Sequence, residues 1–149
     1  IRHLLKSPLR PRSLVLTMQK EVAERICAQP GELSLLALSV QVYGQPKSIL
    51  RIPAGAFYPP PNVDSMVLKL DLFPQPLIPE DQLDAFFRLA KAGFSQKRKT
   101  LRNSLSGGLA WKPERAEELL QTARIDPRRR AETLSMDEWK ELTGLFSAG

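Results

Sequence analysis

The sequence predicts an α/β region followed by a small all-helical region, and three observations carry this prediction. Residues 13–72 interleave short strand-type apolar segments with two segments of helical spacing. A proline-rich segment at residues 73–79 interrupts both patterns. After it, the apolar residues recur only at helical spacing. The chain of 149 residues is long enough for one domain or two small ones.

The first half contains three predicted strands and two predicted helices. Residues 13–18 are almost continuously apolar, which is typical of a short strand buried on both faces. Residues 19–28 and 33–43 have helical spacing, and Gly44 ends the second helix. Residues 48–52 and 66–72 are strands, and the latter alternates apolar and polar residues. This order indicates the closing half of an α/β sheet whose last strand is antiparallel.

The proline-rich segment predicts the division into domains. Three prolines within residues 74–79 form a semi-rigid linker between residues 1–73 and a helical domain at 80–149. Three strands with one apolar face require more sheet to pack against. The chain also begins without Met, inside the amphipathic stretch 1–5. We therefore expect an N-terminal part to be absent from this sequence.

The second half reads as a series of helices. We predict helices at residues 80–93, at the basic stretch 95–105, which Gly107 and Gly108 would close, and at 113–123. Residues Asp126 and Pro127 begin a further short turn of helix. A capping box formed by Ser135 and Glu138 starts the last helix, which buries an apolar stripe.

Composition excludes several classes of protein. The single cysteine, Cys27, rules out an internal disulfide and fits a reducing compartment such as the cytoplasm. No apolar run approaches the roughly 18 residues of a membrane span, so no membrane partner is expected. The sequence contains no cluster with metal-ligand spacing, and no P-loop or catalytic triad. We therefore expect no metal.

The positive charge is concentrated in one part of the chain. Residues 88–130 contain twelve Lys and Arg against four acidic residues, so this segment has a net charge of +8. The whole chain has a formal net charge of +6, which leaves the rest slightly acidic. A basic segment beside a nearly neutral one indicates a polyanionic partner.

The sharpest candidate interface is the basic stretch itself. Four cations fall within six residues and would repel one another in a helix unless phosphates neutralise them. Neutral donors between them suit phosphate or 2′-OH contacts. A solvated basic helix face is the alternative interpretation. The candidate RNA-binding residues are Gln96, Lys97, Arg98, Lys99, Arg102 and Asn103, with a second basic patch at Arg128 and Arg129.

Residues 56–65 form the second candidate site. Phe57 and Tyr58 precede three consecutive prolines, which hold the backbone extended and donate no N–H. Such a stiff loop can present an aromatic ring to a flat ligand at little entropic cost. The alternative is a turn whose Phe packs into the core. We expect Asp64 and Ser65 to bond their neighbouring backbone as turn residues.

Four separated stretches together resemble a known family. Residues 19–26, 56–65, 94–105 and 125–132 are similar, in order and spacing, to the C-terminal part of the small-subunit ribosomal RNA adenine N6,N6-dimethyltransferases. The segment Gln96 to Leu105 is nearly specific for this branch. The resemblance covers almost the whole chain.

The resemblance implies a Rossmann-like methyltransferase sheet and S-adenosylmethionine, bound mainly by an N-terminal part that this sequence lacks. It implies N6,N6-dimethylation of two adjacent adenines in small-subunit rRNA during ribosome biogenesis, by a monomer when full length. The target base would be splayed out and stacked on Phe57. The chain alone would be inactive. The alternative function is a non-enzymatic RNA-binding module for ribosome assembly.

Overall fold

The structure is a computed structural model that describes residues 11–148. The amphipathic stretch 1–5 lies outside the described residues. The main elements, in chain order, are β1 (Ser13–Gln19), α1 (Lys20–Ile26), α2 (Leu35–Gln41), β2 (Gly44–Ile52), β3 (Ser65–Leu72), α3 (Leu83–Gly93), α4 (Leu101–Leu109), α5 (Pro113–Thr122) and α6 (Met136–Ala148). Three single 3₁₀ turns occupy Ala54–Ala56, Glu80–Gln82 and Ala131–Thr133.

The last strand lies in the centre of the sheet. β3 pairs antiparallel with β1 on one side and with β2 on the other, so the strand order is β1-β3-β2. Met66, Leu68 and Leu70 of β3 are buried, as the predicted alternation requires. Helices α1 and α2 supply the other side of this core through Ala23, Leu38 and their neighbours.

The prediction that the first strand is buried on both faces is wrong for the described residues. β1 alternates exposed and half-buried residues, and Val15 is 63% exposed. The physical reason is that, within residues 11–148, the helices cover only the face of β1 that carries Leu14 and Met18, and the face that carries Val15 is left exposed. The apolar composition of β1 still suits a strand that is covered on its second face.

Gly44 begins a strand and does not end a helix. The second helix is shorter than predicted and starts after Ser34, whose hydroxyl oxygen accepts the Ala37 N–H at 3.2 Å. A Cβ on Gly44 would lie 2.6 Å from the Asp71 carbonyl oxygen. Glycine therefore allows the close pairing with β3 that starts β2 four residues earlier than predicted.

The helical half surrounds two large aromatic residues. Phe86 of α3 and Trp139 of α6 are both completely buried. The Phe94 ring stacks on Trp139 with 5.9 Å between centroids, immediately after α3. The capping box is confirmed, because the Ser135 hydroxyl accepts the Glu138 N–H while the Glu138 carboxylate accepts the Ser135 N–H.

The basic stretch is a loop followed by a helix. Residues 95–100 form turns, and α4 begins only at Leu101. A helix through this stretch would bring Arg98 and Lys99 beside Arg102, four and three residues further on, where like charges destabilise it. The glycine pair does not close α4, since the helix continues to Leu109 and ends at Ala110 in a left-handed conformation. A Cβ on Gly108 would lie 2.5 Å from the Ala92 Cα, so this glycine lets α4 pack closely on α3.

The proline-rich segment is docked on the first half of the chain. The Phe73 and Leu77 N–H groups donate to the Tyr43 and Val42 carbonyls at 2.9 Å each, and Ile78 is completely buried. The Gly31 N–H donates to the Glu132 carbonyl across the two halves at 2.8 Å. Buried residues from both halves form one cluster. The division into two domains stays a prediction.

Gly108→Ala should destabilise the protein, because the new methyl group overlaps the α3 backbone. Overpacking of this kind costs roughly 1–3 kcal/mol, against a gain in helix propensity of about 1 kcal/mol. Chemical denaturation of both variants measures the difference. The matched control is Gly107→Ala, whose Cβ would meet only the flexible end of the Gln96 side chain. Equal or greater stability for Gly108→Ala would contradict the close approach of α3 and α4.

Candidate nucleic-acid interface

The aromatic loop connects β2 to β3 and presents its rings to solvent. The 3₁₀ turn Ala54–Ala56 leads into Phe57, whose N–H donates to the Ala54 carbonyl at 3.2 Å. Phe57 is 39% exposed and Tyr58 is 100% exposed. The structure therefore does not support the alternative in which Phe57 packs into the core.

Asp64 ties the two ends of this loop together. Its Oδ1 accepts the Ala54 N–H at 2.9 Å, and its Oδ2 accepts the Arg51 Nε–H at 2.8 Å and a second bond from the same guanidinium. The Ala54 N–H first, and then the Arg51 guanidinium, hold the pKa of Asp64 below its ordinary value. The expectation that Asp64 bonds its neighbouring backbone is wrong, because its carboxylate reaches across the loop.

The basic loop, defined here as residues 95–100, is fixed through its backbone. The Ser95 hydroxyl donates to the Ala92 carbonyl at 2.7 Å. The Gln96 carbonyl accepts the Lys99 N–H at 3.0 Å and the buried Ser104 hydroxyl at 3.3 Å. The backbone of this loop is thus held by α3 and α4, while its long side chains are left outside.

The side chains of the basic loop are available for a ligand. Gln96, Lys97, Arg98 and Lys99 are all exposed. Within residues 11–148, none of the three cations has an ion-pair partner. Three adjacent cations without acidic partners form a surface suited to phosphates.

Residues 126–130 close the amino-terminal end of α4. The Leu101 N–H donates to the Arg129 carbonyl at 2.7 Å, and the Arg102 N–H donates to the Pro127 carbonyl at 3.3 Å. Two of the helix amides that could bind an anion are therefore already satisfied. Any phosphate near this helix end must be bound mainly by side chains.

A polar cleft lies between α4, α5 and the turn at residues 126–128. Asn103 and Arg128 line it and are exposed, whereas Arg102 is half-buried and donates to Glu117 at 2.9 Å. The cleft also contains Asp126, which accepts the Arg128 N–H at 2.9 Å. The two acids make this cleft less positive than the basic loop.

Arg129 is occupied by intramolecular contacts. Its guanidinium makes two hydrogen bonds to the Glu138 carboxylate and one to the Thr133 carbonyl at 2.7 Å. Arg129, followed by the Ser135 N–H, holds the pKa of Glu138 below its ordinary value. An RNA contact by Arg129 would have to break these bonds, whereas the neighbouring Arg128 is exposed. We therefore leave Arg129 out of the RNA surface proposed below.

Helix α1 relates the two candidate sites. At its first residue, the Lys20 N–H donates to the Asp64 carbonyl at 2.9 Å, beside the mouth of the aromatic loop. Along its length, Glu21 and Arg25 line a cleft with Phe94 and Lys97 of the helical half. The aromatic loop and the basic loop thus border the same helix.

Sequence reasoning missed Arg51 as a functional candidate. Its partnership with Asp64 joins residues on either side of a twelve-residue exposed loop. The sequence does place Arg51 near the end of one predicted strand and Asp64 just before the next, which is a possible signal of an ion pair. Such a signal becomes useful only when the two strands are known to be neighbours in the sheet.

The fold is shared with two solved structures of transferases. The structure matches the crystal structure of a dimethyladenosine transferase from Plasmodium falciparum with a TM-score of 0.78 and 22% identity, over 97% of this chain and 61% of that chain. It matches the 23S rRNA methyltransferase ErmE with a TM-score of 0.66 and 18% identity, over 97% and 58% of the two chains. These likenesses define the fold as part of a methyltransferase fold.

Sequence comparison identifies the family. The model of the ribosomal RNA adenine dimethylase family matches residues 1–147, so the chain belongs to that family. It is 50% identical over 143 residues to the ribosomal RNA small subunit methyltransferase A of Dehalococcoides mccartyi strain CBDB1. It is 43% identical to the protein of the same name from Moorella thermoacetica. Each match covers 95% of this chain and 49% of the relative, so the chain spans about half their length.

The described residues contain no helix that is long and apolar enough to cross a membrane. They also contain no group of three or more His, Cys, Asp or Glu side chains placed to hold a metal ion.

The stability of the chain should fall in acid partly because of Glu138. Its pKa is lowered by folding, so it contributes stability above about pH 4.5 and loses it as the pH falls through the folded pKa. Glu138→Gln keeps an acceptor for the Ser135 N–H but removes the charge facing Arg129. We expect a loss of about 1 kcal/mol at neutral pH and a shallower decline in acid.

Urea titrations between pH 3 and pH 7, run on wild type and variant, measure this effect. The control is Glu141→Gln, an exposed acid on the same helix. Parallel pH profiles for wild type and Glu138→Gln would contradict the assigned role of the carboxylate.

Proposed function

We propose that this chain is the C-terminal half of an S-adenosylmethionine-dependent enzyme that dimethylates adjacent adenines of small-subunit rRNA at N6. Membership of the ribosomal RNA adenine dimethylase family is the observation that carries this proposal. The relatives at 50% and 43% identity bear the name of a small-subunit rRNA methyltransferase. An exposed aromatic on an anchored loop and an unpaired basic loop give the proposal a physical basis.

The residues described here do not fit the methyl donor. A donor site of the expected kind needs a glycine-rich turn between a strand and a helix. Among the described residues, β1 alone leads directly into an α-helix, and the chain passes from Gln19 to Lys20 without a glycine. We therefore assign donor binding to the part of the relatives that this chain does not span.

Phe57 is proposed to hold the target base. A base buried in RNA structure must be splayed out before its amino group can react. Stacking on an aromatic ring is worth roughly 1–3 kcal/mol per base, which offsets part of the cost of unstacking. Because the loop is held at both ends, the ring is presented without a large loss of loop entropy on binding.

The basic loop is proposed to bind the RNA backbone. Lys97, Arg98 and Lys99 supply charge. Gln96 in the same loop, and Asn103 and Arg128 beyond it, supply further donors. Phosphate contacts of this kind fix the register of the RNA and carry little sequence information. The helical half would thus orient the substrate while Phe57 selects an extruded base.

A chimera tests the enzymatic proposal. The N-terminal half of the Dehalococcoides mccartyi relative, joined to this chain, should transfer radioactive methyl groups to adenines of unmethylated small ribosomal subunits. Neither half alone should do so. A folded chimera that binds the subunits but transfers no methyl groups would overturn the proposal, and the alternative of a non-enzymatic assembly module would then be favoured.

Lys97→Ala with Arg98→Ala should weaken RNA binding and reduce its salt dependence. Loss of two phosphate contacts is expected to lower the slope of log K against log salt by about 1.5. Filter binding of an rRNA hairpin across a salt titration measures both quantities. The control is Lys112→Ala with Lys140→Ala, which removes the same charge from exposed positions outside the basic loop. An unchanged slope for the first pair would exclude the basic loop from the interface.

Phe57→Ala, placed in the chimera, should lower methyl transfer far more than RNA affinity. Stacking acts on the extruded base, so a loss of about 1–3 kcal/mol is expected mainly in turnover of bound RNA. Single-turnover kinetics at saturating RNA separate this effect from binding. Tyr58→Ala is the matched control, since Tyr58 is the adjacent and fully exposed aromatic. A collapse of affinity with normal turnover would assign Phe57 to binding alone.

A further inference from the structure

The aromatic loop is held by a short chain of hydrogen bonds that ends at Arg51. The Phe57 N–H donates to the Ala54 carbonyl, the Ala54 N–H donates to the Asp64 carboxylate, and this carboxylate accepts two bonds from Arg51. The carbonyl of Asp64 also accepts the Lys20 N–H at 2.9 Å. Asp64 therefore connects Phe57 to the end of β2 and to the start of α1.

Within residues 11–148, one further backbone hydrogen bond is made inside this loop, from the Ala56 N–H to the Pro53 carbonyl at 3.0 Å. In residues 53–64, every residue is exposed except Ala54 and Asp64, the two that bond to each other. The three prolines have no N–H to donate. Burial and backbone hydrogen bonds to other described elements therefore contribute little to the position of the turn before Phe57. The Asp64 carboxylate is the main group that fixes it.

We propose that Asp64 is a positioning residue for Phe57, with Arg51 holding its carboxylate in place. This inference rests on the proposed stacking role of Phe57. Asp64 acts on the 3₁₀ turn in the way that an acidic N-cap acts on a helix, by accepting an orphan N–H. The turn that precedes the aromatic ring is thereby tied to the residue before β3 and, through Arg51, to the end of β2.

Three variants test separately the hydrogen bonds that Asp64 accepts from Ala54 and from Arg51. Asp64→Ala removes both the acceptor for Ala54 and the partner of Arg51. Asp64→Asn retains an oxygen that can accept the Ala54 N–H, so it should rescue part of the effect. Arg51→Gln leaves the Ala54 bond intact but frees the carboxylate. The matched control is Asp71→Ala. This change removes an ion-paired aspartate from the far end of β3, the strand that Asp64 precedes.

The first measurement is amide hydrogen exchange in this chain. Asp64→Ala should speed exchange of the Ala54 N–H about fivefold, as loss of a capping acceptor does. Asp64→Asn and Arg51→Gln should give smaller increases, and Asp71→Ala should give none at this amide. Unchanged exchange of Ala54 in Asp64→Ala would overturn the inference directly.

The second measurement reads the position of the ring. An RNA hairpin with two adjacent unpaired adenines, one replaced by 2-aminopurine, is saturated with each variant, and fluorescence quenching by stacking is recorded. Asp64→Ala should remove most of the quenching that depends on Phe57, without a change in hairpin affinity. Asp64→Asn should restore part of it. A purely structural role would shift the urea midpoint and leave the quenching of folded protein intact.

The outcomes distinguish this inference from the proposed function. If Phe57→Ala retains full quenching, the stacking role itself fails. If Phe57→Ala removes the quenching while Asp64→Ala does not, only the positioning role is overturned. If Asp64→Ala does not fold, Asp64→Asn and Arg51→Gln test the positioning role instead. Normal Ala54 exchange and normal quenching in both variants would overturn that role.

Discussion

The antiparallel pairing of β3 with both of its neighbours is the constraint on which the rest of the structure depends. It brings the end of β2 and the end of β1 to opposite sides of Ser65, where β3 begins. Asp64, one residue earlier, is thereby placed within hydrogen-bond distance of Arg51, Ala54 and Lys20. The order of the strands therefore creates the anchorage of the aromatic loop, which no local sequence preference could supply.

The helical half depends on a comparable constraint at the amino-terminal end of α4. Carbonyls of Pro127 and Arg129 accept its first amides, and the Arg129 side chain connects the same segment to Glu138 on α6. Gly108 lets α4 approach α3 closely enough to fix the other end. The basic loop between α3 and α4 consequently has a determined backbone, although its cations repel one another.

Local patterns predicted most elements, and non-local contacts explain where they failed. The alternation in β3, the helix predicted at residues 80–93 and the capping box of α6 depend on neighbours in sequence, and all three are confirmed. Glycine commonly ends a helix, so the sequence predicts helix ends at Gly44 and Gly108. Their actual role is close approach to Asp71 and Ala92, which are distant in sequence. Arg128 is exposed while Arg129 bonds Glu138, and this difference also depends on a residue outside the local pattern, nine positions beyond Arg129.

The aromatic loop and the basic loop are anchored in the same way. In each, backbone amides and carbonyls are bound at the base by the surrounding elements, while the side chains proposed to meet RNA are exposed: Phe57 in one, Lys97 and its neighbours in the other. Exposure of an aromatic ring and of unpaired cations gives the folded chain no benefit of its own. In the proposed function, an RNA with an accessible base covers these groups. Both loops border α1, so we propose that one RNA hairpin lies across the two surfaces, with the phosphates setting its position and the ring selecting the base.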